Sequence, residues 1–282
     1  MLQRFNASHS RTRLALIALV ALALGTIGCA STGSGGGAEA PAAAAKPDYT
    51  QEMGENGLPT PRALVARFIE AIGGEEAIRS GDQATITGKM RMPAMGMEGS
   101  MTLYSKAPNM MNMQIDLGGF GSMNTGYNGE HGWNDSPMTG PQLLEGQMLT
   151  EVQRQADFYS ELNYDKNYPT QETLEEVDWE GTAAYKVKLV DVDGNESIQY
   201  FAKESSLLVG TEGKQTSEMG EMDVTTVLSD YQEFGGIKAP TKTVLKMMGM
   251  EIEQTVDSVS FDPIDDAMFA PPEAIQKLID NM

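Results

Sequence analysis

The chain has 282 residues, with 40 Asp and Glu residues against 20 Lys and Arg residues and a formal net charge of −20. This acidic balance argues against nucleic acid as a partner and against electrostatic adhesion to anionic lipid headgroups, since both need basic surfaces. A single cysteine, Cys29, excludes intramolecular disulfides, and twenty methionines are the most unusual part of the composition.

The N-terminus predicts an exported protein. Three arginines and no acidic residue precede an apolar run over residues 14–25, which is shorter than the roughly 20 residues that a membrane span requires. This arrangement is typical of a secretory signal peptide. The small residue Gly28 stands directly before Cys29, which resembles the lipobox of bacterial lipoproteins. Thr26 departs from the leucine that the lipobox usually has at that position.

These features divide the chain into three predicted parts. Residues 1–28 are a lipoprotein signal peptide, residues 29–59 are a flexible tether rich in Gly, Ser, Ala and Pro, and residues 60–282 are one folded domain. Lipidation of Cys29 would hold the mature protein on a membrane without a transmembrane helix. We expect the periplasmic face of the outer membrane or the cell surface. A plain secretory signal with an incidental cysteine is the alternative.

The first predicted element is an amphipathic helix over residues 60–72. Thr60 is a suitable N-cap, Pro61 fits the first helical position, and Gly73 with the next glycine ends the helix. Its apolar residues recur at helical spacing and must pack against a larger element. These residues are Leu64, Val65, Phe68, Ile69 and Ile72.

The segment "MRMPAMGMEGSM", residues 90–101, contains five methionines and predicts a hairpin between two strands. From residue 83 the side chains alternate with period two, residues 93–96 form the turn, and a third strand follows at "NMMNMQIDL". In that third strand Met111, Met113 and Ile115 share one face with Leu117. Asn112 and Asp116 are on the opposite face.

The rest of the chain predicts a short helical region and then more strands. Residues 142–162 have mostly helical spacing, weakened by Gly146, which favours one bent helix or two short ones. Seven further segments of strand length are separated by turn residues, as in an antiparallel meander. The predicted fold class is therefore mainly β with helices (α+β), with one curved antiparallel sheet whose concave side carries the helices.

The methionine-rich face has three open interpretations. It lines a soft apolar ligand cavity, it is an ordinary filled core, or its thioethers bind Cu(I). No histidine or second cysteine accompanies the methionines, which weakens the copper interpretation. The candidate cavity residues are Met90, Met92, Met97, Met101, Met111, Met113, Ile115, Leu117, Met248, Met250, Ile252, Leu64, Phe68 and Ile72.

Motifs of enzymes and of metal sites are missing from the sequence. Beyond the signal peptide there is one histidine, His131, and no HExxH or Gly-x-Ser-x-Gly pattern occurs. The segment "DVDGNE", residues 191–196, lacks the twelve-residue ligand pattern of a calcium loop and predicts a hairpin turn. We expect no catalytic residues, no metal and no cofactor.

Four local patterns resemble one known family. These are "YNGEHGWND" with Gly129 and Trp133, "GTAAYKVKLVDVDGNESIQYFAKESSLLV", "LSDYQEFGGIKAPTKTVL" with Pro240, and "FDPIDDAMFAPP" with Phe269 before Pro271. Together, over about residues 60–272, they resemble the outer-membrane lipoprotein-sorting superfamily of LolA/LolB-like carriers. The mycobacterial lipid-carrying lipoproteins share that fold.

The resemblance implies a half-barrel of about eleven antiparallel strands whose concave face is covered by helices and holds acyl chains. Residues 60–72 and 142–162 would be the covering elements. We therefore expect a membrane-anchored extracytoplasmic lipoprotein, not an enzyme, that binds a lipid or a lipoprotein acyl chain in envelope trafficking. The alternatives are a structural or assembly lipoprotein that docks a protein partner, and a methionine-rich Cu(I)-binding protein.

Overall fold

Thirteen antiparallel strands form one sheet in the computed structural model, which describes residues 48–192, 194–217 and 220–282. The sheet is curled but not closed, so it has the shape of a half-barrel. The predicted α+β class with a curved antiparallel sheet is confirmed. The predicted signal peptide, Cys29 and most of the predicted tether lie outside the described residues.

The helices and strands follow one another in a meander interrupted by one helical crossing. The helices are α1 (Pro61–Ile72), α2 (Gly74–Ser80), α3 (Gly146–Gln155), α4 (Tyr164–Asn167) and α5 (Glu273–Ile279). The strands are β1 (Gln83–Met92), β2 (Met97–Lys106), β3 (Met110–Asp116), β4 (Ser122–Tyr127), β5 (Gly132–Ser136), β6 (Gly140–Leu143), β7 (Thr170–Trp179), β8 (Thr182–Val190), β9 (Glu196–Ala202), β10 (Leu208–Ser217), β11 (Gly220–Phe234), β12 (Ile237–Met247) and β13 (Met250–Ser260).

The order of strands across the sheet is β6-β5-β4-β3-β2-β1-β13-β12-β11-β10-β9-β8-β7. The chain enters at β1 in the middle and meanders outward to β6 at one edge. Residues 144–169 then cross to β7 at the other edge, and the chain meanders back until β13 pairs with β1. We call residues 144–169 the crossing segment. Because β6 and β7 do not pair, this segment alone connects the two edges of the half-barrel.

The concave face carries the core and the first four helices. Thr60 caps α1 as predicted, with its hydroxyl accepting from the backbone N–H of Ala63, and the helix buries Leu64, Val65, Phe68 and Ile72. The alternate residues of β1 to β3 on this face are almost wholly buried. α3 packs onto the same face at Gly132, where Leu149 and Val152 would be 2.9 Å from an added Cβ.

The convex face of the sheet is covered by the C-terminal segment at β3 and at β6. Asn112 faces this side, opposite the methionines, and is only 3% exposed because its side-chain amide donates to the carbonyl of Met268. Asn124 donates to Asn112, and the indole N–H of Trp133 donates to Asn124. α5 packs beside β6 on the same side. The helices are therefore not confined to the concave side, as the sequence had suggested.

Two boundaries differ from the prediction. Gln142 and Leu143 belong to β6, where Leu143 pairs with Trp133, so the helical region begins only at α3. Ordered chain also starts before residue 60, since the side chain of Asn56 donates to the carbonyl of Thr173 at 2.9 Å. Within the described ranges, no helix is long and apolar enough to cross a membrane.

A tryptophan covers a glycine in each half of the sheet. An added Cβ on Gly126 would lie 2.2 Å from the Trp133 ring, and one on Gly210 would lie 2.2 Å from the Trp179 ring. Trp179 also stacks on Tyr200 at 3.7 Å between ring centroids. These glycines let large indole rings lie flat on neighbouring strands, which replaces the missing side-chain packing.

We predict that Gly126→Ala lowers the free energy of unfolding by about 1–3 kcal/mol, because the methyl group must displace the buried indole ring. Urea unfolding measures the change. Gly119→Ala is the matched control, since its Cβ would have no neighbour within 4 Å. Equal midpoints for the two variants would contradict the packing that we describe.

Candidate functional site

A cavity lies between the crossing segment and the second half of the sheet. Its volume is about 700 Å³, which is within the range of small-molecule sites. The sheet contributes residues from β9 to β12, α1 contributes one end, and the crossing segment forms the opposite wall. The lining residues are Phe68, Ile72, Gln147, Glu151, Arg154, Gln155, Ser160, Glu161, Tyr164, Asn167, Tyr168, Asp191, Gly194, Asn195, Glu196, Ser197, Gln199, Leu208, Gly213, Lys214, Leu228, Tyr231, Lys238, Ala239 and Pro240.

The two walls of this cavity differ in chemistry. Phe68 and Ile72 of α1 with Leu208 and Leu228 of the sheet provide apolar surface. The crossing segment provides carboxylates, amides and tyrosine hydroxyls on the other side. The cavity therefore matches an amphipathic ligand better than a purely hydrocarbon one, because each part of such a molecule finds a compatible wall.

One ion pair joins the crossing segment to the sheet. Arg154 Nη1 donates to Asp191 Oδ2 at 2.7 Å, and Asp191 is only 4% exposed. Asp191 also accepts from the backbone N–H and the side-chain amide of Asn195. The predicted turn at residues 191–196 is thus present, with its first aspartate serving as the acceptor. Burial raises the pKa of Tyr168, and the neighbouring Arg154 partly offsets that rise.

Glu161 is the carboxylate in the least polar surroundings. Burial raises its pKa to about 7, although hydrogen bonds from the backbone and from Ser160 act in the opposite direction. Among the residues that the structure describes, no Lys, Arg or His forms an ion pair with Glu161. Burial also raises the pKa of Glu151, and Arg154 partly counters this effect. The wall therefore holds a group that changes charge near neutral pH.

Three buried polar atoms beside the cavity have no hydrogen-bond partner among the residues that the structure describes. They are the carbonyl oxygens of the Gln155 and Gln199 side chains and the hydroxyl of Tyr164. A buried polar group without a partner costs about 1–3 kcal/mol. Two of the three belong to the crossing segment, so the wall of the cavity retains unmet polar groups. Gln254 of β13, which pairs with Met90 in the sheet, also has unpartnered amide atoms.

The structure separates the predicted cavity residues into groups. Phe68 and Ile72 line the cavity. Met97 and Met250 are partly exposed, while Met248 is 59% exposed at the β12–β13 turn and lies outside the cavity. The remaining candidates are buried in the packed core on the same concave face and do not line the cavity: Met90, Met92, Met101, Met111, Met113, Ile115, Leu117, Ile252 and Leu64.

The physical reason for this separation is the size of the side chains that the strands place on the concave face. Over β1 to β3 the methionines belong to one buried apolar cluster that also includes Ile78 and Phe158. Over β9 to β11 the concave face carries small or polar residues such as Ser197, Gln199 and Gly213, so space remains beneath the helices. Whether ligand contacts any methionine stays a prediction.

Sequence reasoning missed the polar wall. The sequence places Arg154 and Glu161 only in the predicted helical region 142–162 and gives Tyr164 no role. The approach of all three to β9 depends on the crossing from one edge of the sheet to the other. A usable signal was the density of charged and aromatic residues in "QRQADFYSELNYDKNY", which exceeds what a plain surface helix needs. In the described part of the chain, no group of three or more His, Cys, Asp or Glu residues could hold a metal ion.

Comparison with solved structures identifies proteins of similar fold. A LolA superfamily protein from Nitrosomonas europaea superposes with a TM-score of 0.51 and 13% identity, covering 75% of this chain and 98% of that one. A DUF1329 family protein from Desulfovibrio piger gives a TM-score of 0.53 and 12% identity, covering 74% and 96%. No protein-family model and no curated protein matches the sequence. The predicted resemblance to the LolA/LolB-like fold is confirmed.

We predict that Glu161→Gln stabilises the protein above neutral pH and has little effect at pH 4.5. The folded pKa is raised, so the folded state holds a proton that the unfolded chain releases, and stability falls as pH rises from about 4.5 to about 7. The full difference in the free energy of unfolding between the variant and the wild type is at most about 3 kcal/mol. Urea unfolding between pH 4.5 and 8 measures it, with the exposed Glu273→Gln as control. A difference independent of pH would contradict the assignment.

Proposed function

We propose that this chain is a membrane-anchored extracytoplasmic lipoprotein that binds a hydrophobic or amphipathic ligand, such as a lipid or the acyl chain of a lipoprotein. The cavity between the crossing segment and β9 to β12 is the binding site. The observation that carries the proposal is a space of about 700 Å³ whose lining combines apolar side chains of α1 and the sheet with polar side chains of the sheet and the crossing segment. The leader before Cys29 supports export and anchoring, and the LolA-like fold is compatible with a carrier role.

The apolar wall would hold the chain of the ligand. Phe68, Ile72, Leu208 and Leu228 converge on the same space from α1, β10 and β11. Removing hydrocarbon from water contributes roughly 25 cal/mol per Å² of buried apolar area. Enclosure by α1 on one side and the sheet on the other makes that burial extensive for a single chain.

The polar wall would hold the head of the ligand. Tyr164 and Gln155 have unmet hydrogen-bonding groups close to the cavity, and the carboxyl group of Glu161 has no ion-pair partner within the described ranges. A ligand head that carries hydrogen-bond donors would satisfy more of this wall than a second hydrocarbon chain. No covalent chemistry is part of the proposal, and the role is binding and transfer in the envelope.

The copper alternative has a weaker basis in the fold. The methionines that were candidates for it, such as Met90, Met101 and Met113, are at most 3% exposed in the apolar core. Binding of Cu(I) there would require the core to open. Titration with Cu(I) in reducing buffer tests this alternative directly.

Native mass spectrometry of gently extracted protein tests the proposed function. We predict a co-purifying lipid on the wild type and its loss in Ser197→Phe, because the ring would enter the cavity from β9. A dansyl-labelled undecanoic acid should likewise bind at least tenfold more weakly to that variant.

The matched control is Ser100→Phe, which places the same ring on the exposed outer face of β2. It should retain the lipid and the affinity of the wild type. Wild-type protein without co-purifying lipid and without affinity for the probe would contradict the proposal. Equal binding by both variants would place the ligand elsewhere.

A further inference from the structure

Several large hydrophobic side chains are exposed at hairpin turns. Met95 is 43% exposed in the β1–β2 turn, Phe120 62% in the β3–β4 turn, and Met138 42% in the β5–β6 turn. Met248 is 59% exposed in the β12–β13 turn, and Val192 is 67% exposed in the β8–β9 turn. Single exposed apolar residues scattered over a surface are ordinary. Several of them grouped at one end of a sheet are unusual and indicate an interaction surface.

The register of the sheet places these turns at one end. Met92 pairs with Met97 beside the first turn, Asp116 with Ser122 beside the second, and Ser136 with Gly140 beside the third. Since Arg91 pairs with Glu253, the β12–β13 turn lies at the same end of the sheet. Neighbouring turns are two strands apart, about 10 Å. We call this row of turns the apolar rim.

The opposite end of the sheet has a different character. Its turns are at residues 107–109, 128–131, 203–207 and 235–236, and they contain Glu130, His131, Lys203 and Glu204. None of the exposed large hydrophobic residues in the described part of the chain belongs to these turns. By contrast, four turns of the apolar rim, at residues 93–96, 117–121, 137–139 and 248–249, contain no charged residue, whereas the β8–β9 turn contains Asp191 and Asp193.

The described chain before α1 contacts both α1 and β7, and Arg67 Nε donates to the carbonyl of Thr50 at 2.6 Å. α1 ends at the far end, where Gly73 lies against the carbonyl of Gly236. Its twelve residues span about 18 Å, so its first turn is displaced toward the rim. Asn56 binds the carbonyl of Thr173, three residues from the start of β7, and β7 starts beside the β8–β9 turn. Residue 48, the first described, is 19 residues after Cys29.

From these observations we propose that the apolar rim is a membrane-docking surface that inserts into the interfacial region of the bilayer to which Cys29 is anchored. This inference rests on the anchoring part of the proposed function. The occupant is a lipid surface because four neighbouring turns of the row carry exposed apolar side chains and no charged residue, and because Cys29 would hold the domain next to a bilayer. Anionic headgroups are not required, since the chain carries a net charge of −20 and the turns carry no basic residue.

Docking by this rim would also orient the cavity. Gly194, Asn195 and Glu196 line the cavity, are exposed, and belong to the end that carries the apolar rim. A molecule entering from the bilayer would therefore reach the cavity without crossing bulk water. The rim gives the binding site a direction toward the membrane that the flexible anchor alone cannot provide.

The test uses the full lipidated chain in phosphatidylcholine vesicles. Cys29 is the only native cysteine and is blocked when lipidated, so Phe120→Cys and Met248→Cys each carry one NBD label. Asn109→Cys and Glu204→Cys label the far end. We expect quenching by nitroxide lipids to be at least threefold stronger at the rim than at the far end, with little dependence on salt.

A triple variant supplies the second measurement. Met95→Gln, Met138→Gln and Met248→Gln together should reduce quenching at labelled Phe120→Cys at least threefold. Its control is Leu278→Gln with Met282→Gln, which removes exposed apolar residues outside the turns of the rim and should leave quenching unchanged.

Equal quenching at both ends would overturn the inference, because the domain would then move freely on its tether. Self-association that shields the rim labels from lipid nitroxides would overturn it in favour of contact with a second copy. Rim labels that lipid nitroxides do not quench, together with binding of a partner protein at the rim, would overturn it in favour of protein docking. The intact mass of the chain reports lipidation, and binding of the undecanoic acid probe reports the cavity, so failure of the proposed function is recognised separately.

Discussion

The unclosed sheet is the constraint on which the rest of the structure depends. Edge strands β6 and β7 do not pair, and the chain must pass from one to the other across the concave face. Residues 144–169 make this passage and cover the face as they do so. The crossing segment both connects β6 to β7 and covers the concave face, so its position is fixed by the two edges of the sheet. The Arg154–Asp191 pair further holds it against the turn between β8 and β9.

Core and cavity share one concave face but differ in how it is filled. Methionines fill the first half, where their flexible thioether chains adapt to a strongly curved surface under α2 and the crossing segment. The second half carries small and polar residues, and its cover carries carboxylates and tyrosines. The first half therefore supplies stability, and the second half has the space and the unmet polar groups that a ligand would use.

Local patterns in the sequence are sufficient to predict α1 and the first three strands. The cap at Thr60, the apolar stripe of α1 and the period-two alternation of β1 to β3 follow from short-range rules, and the structure contains all of them. The site was less accessible because it depends on long-range placement. Which part of a sheet face stays open is decided by the path of residues 144–169, and no local pattern specifies that path. For the same reason Asn112 is buried by a C-terminal segment that lies 156 residues away.

The most direct test of the account is photo-crosslinking of the wild-type protein with a diazirine-labelled fatty acid, followed by peptide mapping. We predict crosslinks on residues 147–168 of the crossing segment and on β9 to β11. Crosslinks concentrated on the methionine-rich strands β1 to β3, or spread evenly over the chain, would contradict a binding site in the second half of the half-barrel.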